Sequence, residues 1–421
     1  MTEKERREMA TEASSIHPLS YGQQALLYMQ RLMPESRVYH VSFGMRILSE
    51  VDIPALRSTF QRIVDRHSSL RTTFGIRDGR FVQEVHSVAT LFFKIHDASE
   101  LTDDELHAEM DREAGRPFNL EAGPLMRAHL FLRGPGNNVL LAAFHHLAID
   151  LWSLAIIFEE IRLFYPQARS GKFRDLPKPD AQYADFVKWQ AEMLAGGDGA
   201  GLKEYWDMEL SGGIQSLELP SDFTRSGHDA FAGNACRLAL GKDLSSGLSS
   251  LARKTRTSLY VILLAGLETL LHRYTGKTDF IVTSLTAGRI KADFERTTGF
   301  FTNPVILRAR MEGDPTFTAF AGAVHRTVTG AMDHQAYPFP LVMEKLLAGH
   351  ANRTNPASGA MFVLQSPHRF VSERKEQTAP NAFGAYTPWN TGIRVDLGGL
   401  AVEFVSLPQD TTQSEIDLEL A

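Results

Sequence analysis

Two hydrophobic periods alternate along the chain. VYHVSFGMRIL (38–48) alternates apolar and polar positions as a half-buried strand does, and IPALRSTFQRIVDRH (53–67) spaces its apolar residues as a helix does. Before them, residues 19–33 predict a helix that starts at the N-cap candidate Ser20. LRTTFGI and RDGRFVQEV predict strands joined at an Asp-Gly turn. DDELHAEMDREAG (103–115) predicts a helix ending at its glycine. LMRAHLFLRGPGNNVLLAAFHH predicts two strands, and LWSLAIIFEEIRLFY (151–165) an amphipathic helix. PQARSGKFRDLPKPDA (166–181) is polar and Pro-rich and reads as a linker. YADFVKWQAEML then reads as a helix, AGGDGAG as a break before a further helix at 202–210, and SLELPSDFTRS as extended chain. GNACRLAL reads as a strand that packs Cys236 into a core. From about residue 243 two helices and a strand follow. This mixture predicts an α+β fold of the α/β-sandwich kind. Residues 1–15 are expected to form a leader, 16–178 an N-terminal lobe and 179–421 a C-terminal lobe of similar grammar.

Composition narrows the function. A chain of 421 residues exceeds one ordinary core, which agrees with two lobes. The net charge of −6 gives no reason to expect nucleic acid or an anionic membrane as a partner. One cysteine permits no intramolecular disulfide, so a reducing, cytoplasmic setting is expected. The charged start MTEKERREMATEASSIHP is neither a signal peptide nor an anchor, and it reads as a solvated leader or a partner-docking helix. The apolar windows near 139–158 and 259–271 fall short of a membrane span, and a monomer is expected. In such a chain the Asn-Arg-Thr triplet at Asn352 reads as an accidental sequon.

Candidate chemistry centres on LLAAFHHLAIDLWSLAIIF (140–158). Buried ionisable groups are costly unless bonded or paired, yet here His145, His146 and Asp150 follow a buried strand and precede a helix. Strand-to-helix loops are where rigid scaffolds present chemistry. His146 is the better general-base candidate, its pKa lying near working pH. Asp150 either orients a histidine or pairs with an arginine. The competing readings are hydrogen-bonded core histidines with a helix-capping aspartate, and a metal site. Adjacent strand residues point to opposite faces, so both histidines cannot easily hold one ion, and HExxH motifs and cysteine clusters are absent from the sequence. GKT at 276–278 lacks the upstream glycine of a P-loop, AGGDGAG is no dinucleotide fingerprint, and no GxSxG supplies a nucleophile. The economical enzyme reading is group transfer, with His146 assisting an incoming amine or hydroxyl.

FHHLAIDLWS resembles the HHxxxDG motif of the condensation domains of nonribosomal peptide synthetases, members of the chloramphenicol acetyltransferase-like acyltransferases. LSYGQQALLYMQRL (19–32), RHSSLRTTF (66–74), YADFVKWQ (183–190), TGFFTNPVILR (298–308), HQAYPFPLVME (334–344) and NRTNPASGAMFVLQ (352–365) resemble that family's other motifs, in family order. The resemblance covers about residues 16–418. It implies two lobes forming a V around a tunnel, with a donor and an acceptor carrier protein docking at opposite mouths and neighbouring synthetase domains as further partners. Phosphopantetheine arms deliver the acyl groups, and the domain itself is expected to hold no cofactor and no metal. The implied reaction is attack of the acceptor amine on the donor thioester. A hydroxyl acceptor, giving an ester, and a silent carrier-docking module are the alternatives.

Carried over by position, His146 is the catalytic histidine, with His145 and Asp150 in support. Asp150 is expected in an ion pair with Arg289, or alternatively Arg66 or Arg71. Leu151, Trp152, Ser153, Asn303 and Gln365 are expected along the tunnel. Departures from the pattern are Leu151 at the motif's final glycine and Ala25 at the arginine of the opening motif. A glycine lets backbone approach a ligand closely, so Leu151 is expected to narrow or redirect the tunnel. TTQSEIDLELA resembles the family's TxxFDLxL stretch, beyond which relatives continue, so the end of the family domain is expected to be missing here.

Overall fold

NVLLAAFH is apolar on both faces, which a strand tolerates only where both faces are covered. In the computed structural model, which describes residues 14–174, 176–212, 214–220, 232–348, 357, 359–365, 392–407 and 410–420, this segment is β7 (Asn138–His145), and every residue of it is buried. The leader up to residue 13, the extended segment from 221, the triplet at Asn352 and the opening of the last motif lie outside the described residues. β2 (His40–Ile47) and β6 (Met126–Leu132) flank β7 antiparallel. β5 (Phe92–Asp97) runs parallel to β6, and β12 (Ala401–Val405) and β11 (Arg394–Asp396) extend the sheet beyond β2. The order is β11-β12-β2-β7-β6-β5.

Helices α1 (Tyr21–Leu32), α2 (Ile53–Arg66), α3 (Asp103–Gly115) and α4 (Leu151–Ser170) accompany this sheet. Ser20 starts α1 through a capping box. Its hydroxyl accepts the Gln23 N–H, and the Gln23 side chain accepts the Ser20 N–H. Phe43 packs against Phe144 and Phe158, and Phe158 against Phe404, which fastens α4 to the sheet. Each such ring, fully buried, contributes roughly 1.5–3 kcal/mol. A second sheet, β1 (Ser15–Pro18), β4 (Arg80–Val85) and β3 (Thr72–Arg77), holds the Asp-Gly hairpin. Asp78 and Gly79 both have positive φ there, as the tight turn requires.

The other sheet has the order β13-β10-β8-β9, with β8 (Asp279–Thr286), β9 (Asn303–Arg310), β10 (Ala360–Leu364) and β13 (Ile416–Leu420). Phe280, Val282, Ile306 and Phe362 meet Leu264 and Phe320 in its core. The helices there are α6 (Gly197–Glu209), α7 (Lys242–Thr255), α8 (Leu259–Thr275), α9 (Phe317–Asp333) and α10 (Phe339–Ala348). α5 (Tyr183–Ala195) precedes them. Among the described residues no helix is long and apolar enough to cross a membrane.

The chain forms two compact units that interleave in sequence. The first takes the described residues within Met1–Ala191, Arg289–Phe301 and Ser366–Pro408; the second takes those within Glu192–Gly288, Thr302–Gln365 and Gln409–Ala421.

Three local expectations need correction. The helix expected over 151–165 continues through Pro166 to Ser170, where Gly171 ends it in the left-handed conformation. The ring removes one N–H, and the stranded Arg162 carbonyl faces the backbone of Gly398, where a Cβ would fall within 2.2 Å. AGGDGAG is not a long break: α6 begins at Gly197, leaving only Gly196 between α5 and α6. A Cβ on Gly199 would lie 2.5 Å from the Leu194 carbonyl oxygen, so glycine lets the two helix ends meet. GNACRLAL is no strand and Cys236 is exposed. Among the described residues the segment joins no sheet; its start is held by the Gly233 N–H on the Asp410 carbonyl (2.8 Å) and by a bridge between the preceding Ala232 and Thr411.

Candidate active site

At the end of β7 the backbone turns over His146–Ile149 and re-enters order as α4. Leu147, Ala148 and Ile149 are fully buried. His145, also fully buried, accepts the Leu147 N–H at Nδ1 (3.1 Å). That assignment leaves the proton on Nε2, which donates to Gln30 Oε1 (3.3 Å). Gln30 in turn donates to the carbonyls of Met33, Pro34 and Ser36. Burial, helped by neighbouring His40 and His146, pushes the His145 pKa down to about 3. His145 is therefore a neutral strut.

His146 is only partly buried. Its Nδ1 lies 2.7 Å from the Ile149 carbonyl oxygen, which can only accept, so Nδ1 carries the proton and Nε2 a lone pair. Phe300 stands edge-on to the ring, 5.0 Å between centroids. Burial lowers the His146 pKa, and the charge of Asp150 and the Ile149 carbonyl offset only part of that effect. The ring is thus a neutral base near pH 7, held in one tautomer by its own loop.

Asp150 is the N-cap of α4. Its Oδ1 accepts the Ser153 N–H (2.8 Å) and hydroxyl (2.7 Å), and its Oδ2 accepts the Phe301 N–H (3.2 Å). Arg289 meets both oxygens, at 2.7 and 3.0 Å. Burial pushes the Asp150 pKa up, but the Arg289 charge, with hydrogen bonds from Arg289 and Ser153, more than reverses this and holds it below the ordinary range. Among the described residues no histidine bonds to Asp150, so it locks the loop.

The other sequence candidates divide. Arg66 does not reach Asp150; it pairs with Glu160 (2.7 Å) and bonds the Leu176 and Pro177 carbonyls. Glu160 on α4 faces α2 and captures both Arg66 and His67. Arg71 is also elsewhere, donating to the carbonyls of Val64, His86 and Ser87. Ser153 is buried and spent on Asp150 and on the Gly299 N–H (3.1 Å), so it is a loop anchor with no surface to offer a substrate. Trp152 donates its indole N–H to the Glu295 carbonyl (2.9 Å), and Arg289 lies over its ring. Leu151 is the first residue of α4 and has no positive φ, so its backbone accepts a side chain without strain.

In the second unit, Asn303 donates to the Gln335 and Tyr337 carbonyls and accepts the Phe339 N–H, each at 2.9 Å. It clamps the HQAYPF segment to the start of β9. Gln365 donates to Glu419 (2.8 Å) on β13.

Several motifs met separately in the sequence converge on the histidine loop. Gln23, from LSYGQQ, donates to the Leu147 carbonyl (3.4 Å). The Ser20 hydroxyl bonds the Tyr183 hydroxyl (2.9 Å), and Tyr183 donates to the Phe300 carbonyl (2.6 Å). Gln190 accepts the Tyr21 N–H (3.1 Å). Ser69, in RHSSLRTTF, bonds Thr298 (2.8 Å). A Cβ on Gly299 would fall 2.0 Å from the Tyr183 ring, so only glycine admits that ring. Sequence alone does not single out Gln30, Gln23, Tyr183 or Gly299. Each sits inside one of the quoted motifs, and that is the signal that could have found them.

The whole set matches one family model, "Condensation domain", over residues 13–391. A linear gramicidin synthase polypeptide of Brevibacillus parabrevis is 35% identical over 353 residues, which cover 83% of this chain and 7% of the synthase. The chain thus spans under a tenth of that relative's length. Among solved structures, the X-domain from teicoplanin biosynthesis superposes with a TM-score of 0.78 at 22% identity, over 95% of this chain and 84% of that one. The first condensation domain of the CDA synthetase does so with 0.75 at 20%, over 97% and 88%. These likenesses bear out the α+β, chloramphenicol acetyltransferase-like fold. Motif order, the His-His-Asp loop and the family model agree, and the chain belongs to the condensation-domain family.

Proposed function

We propose that this chain is an acyltransferase that joins two carrier-bound substrates through an amide. The observation that carries the reading is the His146 ring: Nδ1–H fixed on the Ile149 carbonyl, Nε2 left as a lone pair on a loop locked by Asp150 and Arg289. Kinship with the synthases of linear gramicidin and tyrocidine supports the amide over other group transfers.

In this reaction the acceptor amine attacks the carbonyl carbon of the donor thioester. The C–N bond forms, the C–S bond breaks, and the phosphopantetheine thiolate leaves. The amine proton passes to His146 Nε2 and from there to the departing sulfur, so charge and atoms balance. Donor and acceptor each arrive on the phosphopantetheine arm of a carrier protein, within a multidomain synthetase. General-base assistance of this kind is worth about 10²–10⁴-fold.

Intact-protein mass spectrometry tests the reading. The wild type should transfer an acyl group from a donor carrier to an aminoacyl acceptor carrier, and His146→Ala should lose at least about 10²-fold of that rate. Transfer that survives the substitution removes His146 as the base. Transfer only to a hydroxyacyl acceptor replaces the amide with an ester.

A further inference from the structure

We propose a second polar site in the first unit, a divalent transition-metal site of the zinc type formed by His96, His129 and Glu113. It lies on the sheet face covered by α3, apart from the histidine loop. In the parallel pair β5–β6, Lys94 stands beside His129, so His96, two residues on, shares its face. Glu113 comes down from the last turn of α3. His96 Nε2 lies 3.0 Å from His129 Nδ1, and His129 Nδ1 lies 4.0 Å from Glu113 Oε2. One ligand atom from each residue falls within 4.8 Å of the others. Four-coordinate zinc, with bonds of about 2.0–2.1 Å, sets its ligands about 3.3 Å apart, so modest rotamer shifts close the set.

A second observation is independent of the spacing. Glu113 is 1% exposed, yet its Oε2 has no hydrogen-bond partner. Buried carboxylate oxygens are ordinarily bonded, and this one, beside two imidazoles and without a hydrogen-bond donor, has a lone pair to give a cation. Without an ion, the imidazoles share a single proton across their short contact; an ion takes both lone pairs. Glu109, held by Arg112, brings its Oε1 to 3.9 Å from His96 Nδ1, so a small shift lets it take the proton of that other nitrogen, as carboxylates do behind metal-bound histidines. His96 is the most exposed of the three residues.

Cations crowd the same carboxylate. Arg112 and Lys94 lie 3.2 and 3.5 Å from Oε1, and Arg116 lies 4.0 Å from Oε2. All three are about half-exposed or more, so they weaken the site without filling it. The site is structural. The next residue, Ala114, holds His40 by its carbonyl (3.1 Å), and the His40 ring stands 6.1 Å from that of His145. An ion at Glu113 pins this floor beneath the histidine loop.

The metal-free 421-residue chain, titrated with Co²⁺ and then Zn²⁺, gives the test. One Co²⁺ per chain should bind with the intense visible bands of a four-coordinate site, and Zn²⁺ should displace it and raise the melting temperature. Glu113→Gln and the edge variant His96→Gln should each lose the bands and the thermal shift. Lys94→Ala should tighten binding by about fivefold, since removing one screened surface charge is worth up to ~1 kcal/mol. Binding unchanged in His96→Gln, or less than stoichiometric retention by a folded wild type, overturns the proposal. The readout is metal content, so the outcome is independent of whether the chain condenses carrier-bound substrates.

Discussion

Replacing Arg289 by alanine isolates the interaction that holds the histidine loop. The side chains of Arg289 and Asp150 are each 1% exposed, so the pair is out of water on both sides. The substitution leaves Asp150 three neutral donors, two from Ser153 and one from Phe301, and removes the positive charge. Stripping one partner from a buried ion pair costs about 3–5 kcal/mol. Loss of the guanidinium from the face of Phe301, 4.3 Å away, adds about 0.5–2 kcal/mol, and the remaining donors return a similar amount. The expected loss is therefore about 3–5 kcal/mol near pH 8.

The pH dependence is the sharper part of the test. In the wild type, Asp150 has a folded pKa below its unfolded value of about 3.9, so its contribution is complete above that value and fades as pH falls through the folded one. In Arg289→Ala, burial is the largest effect and only the donors of Ser153 and Phe301 oppose it, so the folded pKa is expected above the unfolded one. The native variant then takes up a proton as pH falls, and its deficit shrinks from pH 8 to pH 5. Adding Asp150→Asn to Arg289→Ala removes the unpaired charge and should recover part of the loss at pH 8. Urea unfolding followed by tryptophan fluorescence measures all three, Trp152 being in the affected loop. A loss below about 1 kcal/mol at pH 8, an equal loss at pH 5, or no recovery in the double variant refutes the argument.

Three further outcomes follow from the same geometry. Because burial lowers the His146 pKa, the base stays unprotonated to a lower pH than free histidine, and the acid limb of kcat/KM should lie below about 6.5; a limb at or above that value rejects burial as the dominant influence on the ring. Gly299→Ala should destabilise by about 1–3 kcal/mol, since the Tyr183 ring in its way is tied at the hydroxyl to both Ser20 and Phe300, and Tyr183→Leu in the same chain should restore part of it; thermal melts decide. Asn303→Ala severs three hydrogen bonds around residues 335–339 and should cost about 1–3 kcal/mol while speeding amide exchange at Phe339, so unchanged exchange there would count against the clamp.

Local pattern carried much of this protein. The all-apolar run of β7, the Asp-Gly hairpin, the Ser20 cap and the helix following Asp150 are read from neighbours a few residues apart, because periodicity and capping are local physics. The order of the motifs was legible in the same way and led to the family. What lay beyond local pattern was decided by partners far along the chain. Cys236 alternates like a strand residue but joins no strand among the described residues, and the helix runs on through Pro166, with the freed Arg162 carbonyl set against Gly398. Arg66, Arg71 and Arg289 look alike in sequence; Glu160 on α4 captures the first, backbone carbonyls the second, and only Arg289 arrives at Asp150, 139 residues away. His96, Glu113 and His129 carry no motif at all, and a parallel strand pair and one helix turn assemble them. Composition and period state what each segment prefers. Which charges meet in the dry interior is a property of the closed chain, since an ion pair forms only where folding brings its two ends together.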